Sequence, residues 1–567
     1  MTSTRITPRA SFNHARPTHV AHAIRLAIAC VAAVASNGAS AFEIPTDNPD
    51  WKMRWDSSLK YSAAWRLKDA DSKLIGPAQA NLDDGDRNFR EKGLVSSRVD
   101  LFSEADLIYK ERFGARVSGA AWYDEVYNRS NDNNSPLTIN STSVPAGEFT
   151  HDTRDLMGRE AELLDAFVFG GADFGDMSGT FRLGRHAQIW GETLFFGSNG
   201  IAGGMVPIDY VKLFNVPGSQ FKEVVRPVNQ FSAQLQVRPG LTVSGYYQFE
   251  WEENRIPASG AFSSFSDIFG DGAESLLWPT GAHFANAGKI KPSDAGQFGF
   301  QVRIRPEDID ADIGLYAIRY HQKDGNIYIR PAAGTGFFGN QGAPGQEVGV
   351  FQTVYHEGIR AYGASLNTSL GDANMGIEVS MRDNAPLVNP GVFVFDPEAD
   401  NDSHPAYPVG RTAHVNVSST LLLSPTALWQ GGTFLAEMGW NRLLSVTDNP
   451  QAVDPNATRD ALGFRMLFSP TYYQVLDGLD VSIPIGLGYN PKGRSSAVSL
   501  FNGGVDKGGD YSIGIKGDYK KDIILGLTYT SYFGNTGAVL ESSNDRLSFD
   551  QYYKDRSNIS ATVQMSF

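Results

Sequence analysis

Chemistry-bearing residues are sparse in this chain, and their spacing fits no catalytic template. Outside the first 41 residues the histidines are His151, His186, His283, His321, His356, His404 and His414. None has the spacing of a zinc-binding pair, and no Gly-x-Ser-x-Gly elbow presents a serine nucleophile. His186 with Ser198 is the best available base–nucleophile pair; a histidine filling a structural position competes with that reading. The one cysteine, Cys30, excludes a disulfide framework and any cysteine-built zinc or iron–sulfur centre. Asp83, Asp84 and Asp86, and separately Asp396, Glu398, Asp400 and Asp402, offer the oxygens calcium takes. Neither run keeps an EF-hand spacing, so both read as solvated loops. No enzyme, cofactor or resident metal is expected. A formal net charge of −14 also disfavours nucleic acid as a partner, since phosphates demand clustered Lys and Arg.

The N-terminus reads as an address. Arg5, Arg9, Arg16 and Arg25 precede an apolar run, Leu26 to Ala35, which is followed by Ala39-Ser40-Ala41. These are the basic, apolar and small-residue parts of a cleavable export signal, with cleavage expected after Ala41. The run is shorter than the 20 or so residues a spanning helix needs, and no later stretch reaches that length.

Alternation supplies the fold. In 53–67, Met53, Trp55, Leu59, Tyr61 and Trp65 fall on one phase, while Arg54, Asp56, Lys60 and Arg66 fall on the other. Period-two patterning over this length exceeds an ordinary globular strand and matches a tilted membrane strand. The pattern recurs in 229–238, 241–252, 297–305 and, more weakly, at 13 further places. It ends in 557–567, where Ile559, Ala561, Val563, Met565 and Phe567 share a phase. Connections after even-numbered strands are short and those after odd-numbered strands mostly long, the parity of an outer-membrane barrel. The sequence therefore predicts an all-β fold over 42–567: a transmembrane antiparallel up-and-down β-barrel of about 18 strands (range 14–18). Short periplasmic turns and long external loops would join its strands.

The polar phase gives a candidate lumen-facing set: Arg54, Asp56, Lys60, Gln230, Gln234, Glu250, Gln301 and Arg303. It is mixed in sign, which argues against a strongly ion-selective ring, and cross-strand stiffening of the wall is an equal use for it. Trp55, Trp65, Trp122, Trp190, Trp251, Trp440, Tyr529 and Tyr532 are expected in interfacial belts. Arg185 falls on the apolar phase, so a bulge near Gly184 or Arg185 is expected to turn it away from lipid. Loop 191–228 is unusually apolar, and folding inward would bury it. Met205, Ile208, Tyr210 and Phe214 are its candidate constriction residues. An external cap packed against 253–296, with Phe262, Phe265, Phe269 and Trp278, is the alternative.

Several runs resemble the proteobacterial outer-membrane family known as domain of unknown function 1302. They are Phe181-Arg182-Leu183-Gly184-Arg185-His186 with Trp190-Gly191-Glu192, Val216-Pro217-Gly218-Ser219 with Phe221-Lys222-Glu223, and Tyr246-Tyr247-Gln248-Phe249-Glu250-Trp251. Gly478-Leu479-Asp480 with Pro484-Ile485-Gly486-Leu487-Gly488-Tyr489-Asn490 and Asp510-Tyr511-Ser512-Ile513-Gly514 complete the set. The resemblance implies an outer-membrane component that moves hydrophobic small molecules or lipids across a Gram-negative envelope. A periplasmic lipoprotein-carrier-like protein and an inner-membrane RND-type exporter would be its partners. It also implies contact with outer-membrane lipid and lipopolysaccharide, and insertion by the barrel-insertion machinery reading the strand that ends at Phe567. A general diffusion porin for small hydrophilic solutes is the competing function, and a barrel hydrolase a third.

Overall fold

The computed structural model describes residues 42–135, 140–334, 342–543 and 545–567. The expected export signal and its cleavage point after Ala41 lie outside the described residues.

Eighteen strands cross the barrel wall. The first nine are β1 (Trp51–Arg66), β2 (Gly93–Tyr109), β3 (Phe113–Asp124), β4 (Arg159–Phe174), β5 (Met177–His186), β6 (Val228–Arg238), β7 (Leu241–Gln248), β8 (Gln297–Ile304) and β9 (Ala311–Tyr320). The next five are β10 (Ile359–Leu370), β11 (Ala373–Pro386), β12 (Val409–Leu422), β13 (Gly431–Asp448) and β14 (Asp460–Leu476). β15 has two parts, Leu479–Ser482 and Ile485–Lys492, and is followed by β16 (Gly509–Tyr519), β17 (Ile523–Phe533) and β18 (Asn558–Ser566). The break in β15 falls at Pro484, which has no N–H to give the ladder; its carbonyl still accepts from the Gly514 N–H at 2.9 Å.

Each strand pairs antiparallel with the next, and β18 returns to β1 along Ser58↔Ser566 through Arg66↔Asn558. Ser57 and Phe567 then exchange both backbone hydrogen bonds, at 2.7 and 2.9 Å, so the last residue finishes the seam. Closure leaves no row of unpaired backbone groups to face hydrocarbon. The alternation sorts the two faces. Trp55, Leu101, Val117, Val168, Phe300 and Ile515 stand exposed on the outside, while Lys60, Glu104, Gln301, Asn416 and Glu437 are buried within. This is a transmembrane barrel of 18 strands.

Turns of two to eight residues join even to odd strands, and long loops leave the other end. Parts of those loops form a second sheet of short strands, 275–277, 283–290, 326–331, 347–354 and 392–393, with two parallel pairings. Phe284, Val348 and Phe351 are fully buried beneath it. A further core joins Phe89, Tyr127, Phe149, Met157, Val211 and Phe262 from four loops. At the seam, Arg66 at the end of β1 and Arg556 before β18 both bind Asp86 at 2.9 Å, and Arg66 also holds Asp555 at 2.7 Å. All four side chains are buried, so the loop holding Asp86 is locked to the first and last strands.

Three sequence expectations are corrected. Trp122, Trp190 and Trp251 are buried and form no part of an interfacial belt: Trp122 falls on the inner phase, and the strand ladder ends before Trp190 and Trp251. No bulge appears at Arg185. Its strand keeps register with both neighbours, and the guanidinium sits at the long-loop end of the wall, donating to Glu250 at 2.8 and 3.0 Å. Asp83, Asp84 and Asp86 are not solvated but buried between loops.

Candidate functional site in the barrel interior

After β5 the chain does not rise outward but turns in. Gly191 adopts φ +106°, and a Cβ there would collide with Glu378, so only glycine makes this entry. Residues 187–227 then pass from wall to wall as short helical turns: Ala202–Met205, Tyr210–Asn215 and Phe221–Val224.

One side of the segment is docked by carboxylates. Glu378 of β11 accepts the backbone N–H of Glu192 at 2.9 Å and of Ile201 at 2.7 Å. Glu437 of β13 accepts three successive N–H groups, from Leu194, Phe195 and Phe196, at 3.0, 2.5 and 3.0 Å. These are charge-assisted bonds to donors that a non-helical buried backbone would otherwise leave orphaned. Arg382 of β11 donates to the carbonyls of Ser198 and Gly200. Asn199, fully buried, donates to Asn416 and to the Trp440 carbonyl, and accepts from Asn441 and His414. Ile201 and Met205 pack with Trp190, Tyr246, Tyr316, Ile318 and Tyr320, a cluster that joins the segment to β7, β9 and β10.

The other side is docked by ion pairs. Asp209 caps its helix by accepting from the Lys212 N–H at 2.8 Å, and Gln220 with Glu223 closes a reciprocal capping box. Lys60 of β1 reaches Glu223 at 3.2 Å, and Lys222 reaches Glu104 of β2 at 3.4 Å. Lys212 and Arg255 share Glu162 of β4, at 2.7 and 2.8 Å. Burial works against the charge on Arg255, but Glu162 and Asp209 more than offset it and hold the guanidinium above its ordinary range. Lys212, Arg255 and Arg98 lie 5.0, 5.6 and 4.8 Å from the ring centre of Trp122, itself anchored by donation to the Leu156 carbonyl. The segment thus contacts strands from β1 round to β13.

Not all of its apolar surface is covered. Phe221 is 67 % exposed, Phe214 57 %, Leu213 50 % and Leu194 44 %. Tyr210 stacks on Phe214 at 5.7 Å. Exposed apolar side chains in a polar-walled lumen have a cost in water that a passing apolar molecule would relieve.

The candidate lumen residues fall into three groups. Arg54 pairs with Asp56 at 2.7 Å and Arg303 with Asp312 at 2.8 Å, both on the wall, while Lys60 is committed to the inward segment. Gln230 is buried, bonded to the His186 carbonyl at 2.5 Å; Gln301 is buried, and Gln234 is exposed on the inner phase. Glu250 leaves the pattern: β7 ends at Gln248, and the Glu250 carboxylate turns to Arg185 and the Asn229 N–H. Of the constriction candidates, Met205 is wholly buried and its sulfur accepts from the Trp190 N–H. Ile208 is half-buried and bridges to Val225, Tyr210 is half-buried, and Phe214 is the exposed one. His186 and Ser198 are not brought together. The His186 ring bonds Ser232 and the Gly184 carbonyl, and the Ser198 carbonyl serves Arg382. Sequence reasoning missed Glu378 and Glu437, whose signal was an acid set among apolar and small residues inside each alternating strand.

The profile of the family described as "Protein of unknown function (DUF1302)" matches residues 22–567. No curated protein sequence matches the chain. Among solved structures, Acinetobacter baumannii OccAB1 is 10 % identical with a TM-score of 0.44, covering 94 % of this chain and 99 % of that one. Acinetobacter baumannii OccAB2 is 9 % identical with a TM-score of 0.42, covering 91 % and 98 %. Pseudomonas aeruginosa OpdK, solved with vanillate, is 10 % identical with a TM-score of 0.39, covering 90 % and 98 %.

Proposed function

This chain belongs to the DUF1302 family, and we propose that it is an outer-membrane transport component for hydrophobic small molecules or lipids, with 187–227 as a plug narrowing its lumen. The observation that carries this reading is the exposure of Leu194, Leu213, Phe214 and Phe221 on a segment pinned across a polar-walled barrel. A plug of this kind blocks free diffusion of ions and sugars while offering an apolar surface to cargo. Met205 and Ile208 would form its packed inner layer, and Tyr210 and Phe214 its cargo-facing rim. Export would follow cleavage after Ala41, and the β18 edge ending at Phe567 would be read by the insertion machinery. The family resemblance extends the proposal to a periplasmic lipoprotein-carrier-like protein and an RND-type exporter. A non-enzymatic role fits the separation of His186 from Ser198.

A second reading, a general diffusion porin, is favoured by the mixed wall of Arg54, Asp56, Gln234 and Arg303, which suits small hydrophilic solutes. Liposomes carrying the purified barrel separate the two. The first reading expects accelerated transfer of an apolar fluorophore with little sugar-driven swelling; rapid swelling without apolar transfer would establish the porin instead. Loss of growth on apolar but not hydrophilic carbon sources in a deletion strain is the matching result in cells.

A further inference from the structure

On one side of the barrel the apolar outer face ends in arginine. Going toward the long-loop end, β9 presents Leu315 and then Arg319 outward, β10 Tyr362 and then Arg360, and β13 Met438 and then Arg442. On β11 Met381 is followed by Asp383, which Arg411 of β12 meets on the same face. Tyr362 and Trp440 lie two residues further into the membrane than Arg360 and Arg442, as interfacial aromatics do. The guanidinium groups therefore stand just beyond the hydrocarbon, at the depth of the outer leaflet's head groups.

The second observation is their pairing. Arg319 and Arg360 are directly opposite across the β9–β10 ladder, a relation in which like charges repel. Arg360 also faces Asp383, at 3.9 Å, but Arg411 takes that carboxylate with its Nε–H at 2.8 Å. Arg442 holds Asp460 at 3.0 Å. Four guanidinium groups thus share two carboxylates, and the Arg360 and Arg411 side chains remain more than half exposed on the lipid side. An anion lying between Arg319 and Arg360 offsets their repulsion, and the planar fork of arginine matches the oxygens of a phosphate.

We propose that Arg319, Arg360, Arg411 and Arg442 form a binding site on the outer wall for the phosphate groups of a lipopolysaccharide-type glycolipid. The apolar face below the row gives the acyl chains a surface in line with the head group, which a free phosphate would not use. Basic clusters at the head-group level recognise anionic lipids in this way. The inference rests on the barrel standing in an outer membrane with its long loops outward, and not on what it transports.

The test titrates the full-length barrel in nonionic detergent with diphosphoryl lipid A, and reads bound lipid by native mass spectrometry. Phosphatidylglycerol and inorganic phosphate are the comparison ligands. Saturable retention of lipid A is expected, stronger than that of phosphatidylglycerol and not displaced by millimolar inorganic phosphate. Arg319→Gln with Arg360→Gln should weaken it roughly tenfold or more, at about a head-group contact per arginine. Arg159→Gln, which removes an exposed arginine of β4 away from the row, should leave it unchanged. Without lipid A the double variant should melt no lower than the parent, because the opposed charges are gone. Arg411→Gln with Arg442→Gln should repeat the loss and stands in if the first pair does not fold. Apolar transfer is not read here, so this site and the transport reading can fail separately. Absence of saturable lipid A binding, equal retention of phosphatidylglycerol, displacement by inorganic phosphate, or equal binding by parent and row variants would overturn the proposal.

Discussion

Glu437 shows what a single buried carboxylate does here. It meets three backbone N–H groups of the plug, which have no secondary structure to satisfy them. Removing it orphans those donors at about 1–3 kcal/mol each. Glu437→Ala together with Glu378→Ala is therefore expected to leave the barrel folded and raise single-channel conductance several-fold; unchanged conductance in planar bilayers would refute the latch. Lys323 shows the opposite economy. It is buried outside the wall, its amine 3.5 Å from Gln297 Oε1, and burial lowers its pKa from 10.5 to about 7, with Asp324 opposing the shift. The folded chain thus releases a proton that the unfolded chain keeps until about 10.5. Below pH 7 the folded state carries the full burden of the buried charge, and the burden is relieved as pH rises from about 7 to 10.5. Lys323→Met should raise Tm most below pH 7, with the gain fading above it. A gain independent of pH, measured by thermal unfolding across that range, would show that packing and not charge decides.

Among the elements, the strands were legible and the plug only partly so. Period-two patterning marks a wall strand because each residue faces either lipid or lumen, and all 18 strands appear where that pattern places them. The pattern fails where a segment has protein on both sides. Ala187 to Trp190 and Phe249 to Trp251 continue the apolar rhythm but belong to the inward segment and the loop layer, so Trp190 and Trp251 lie buried and Glu250 serves Arg185. The short external strands at 326–331 and 347–354 could not be read, because both faces are covered and their pairing is non-local. That the loop at 191–228 would seek burial followed from its composition; the depth of its docking depends on Glu378, Glu437 and Lys60, whose partners no local pattern reveals. The exposed aromatics belong to this scale. Replacing Leu213, Phe214 and Phe221 together by serine is expected to reduce apolar-fluorophore transfer several-fold, without lowering ion conductance. Equal transfer in the liposome assay would remove the patch from the transport route.

As a whole, the molecule is a closed wall, a pinned plug and a loop layer, each tied to the seam between β1 and β18. Arg556 ties the loop layer to that seam. It donates to Asp86 and to the carbonyls of Phe262 and Ser264, so the loops after β1, β7 and β17 meet on one guanidinium. Arg556→Ala leaves Asp86 with Arg66 alone and is expected to cost about 3–5 kcal/mol, seen as earlier unfolding of the barrel on heating in detergent. The central proposal, that 187–227 closes the lumen to ions, is tested most directly by single-channel recording. The intact chain is compared with one in which residues 192–226 are replaced by a short glycine–serine linker. The account predicts small or no steps for the intact protein and large, ohmic, unselective steps once the plug is gone. Large steps from the intact protein, left unchanged by the replacement, would contradict it.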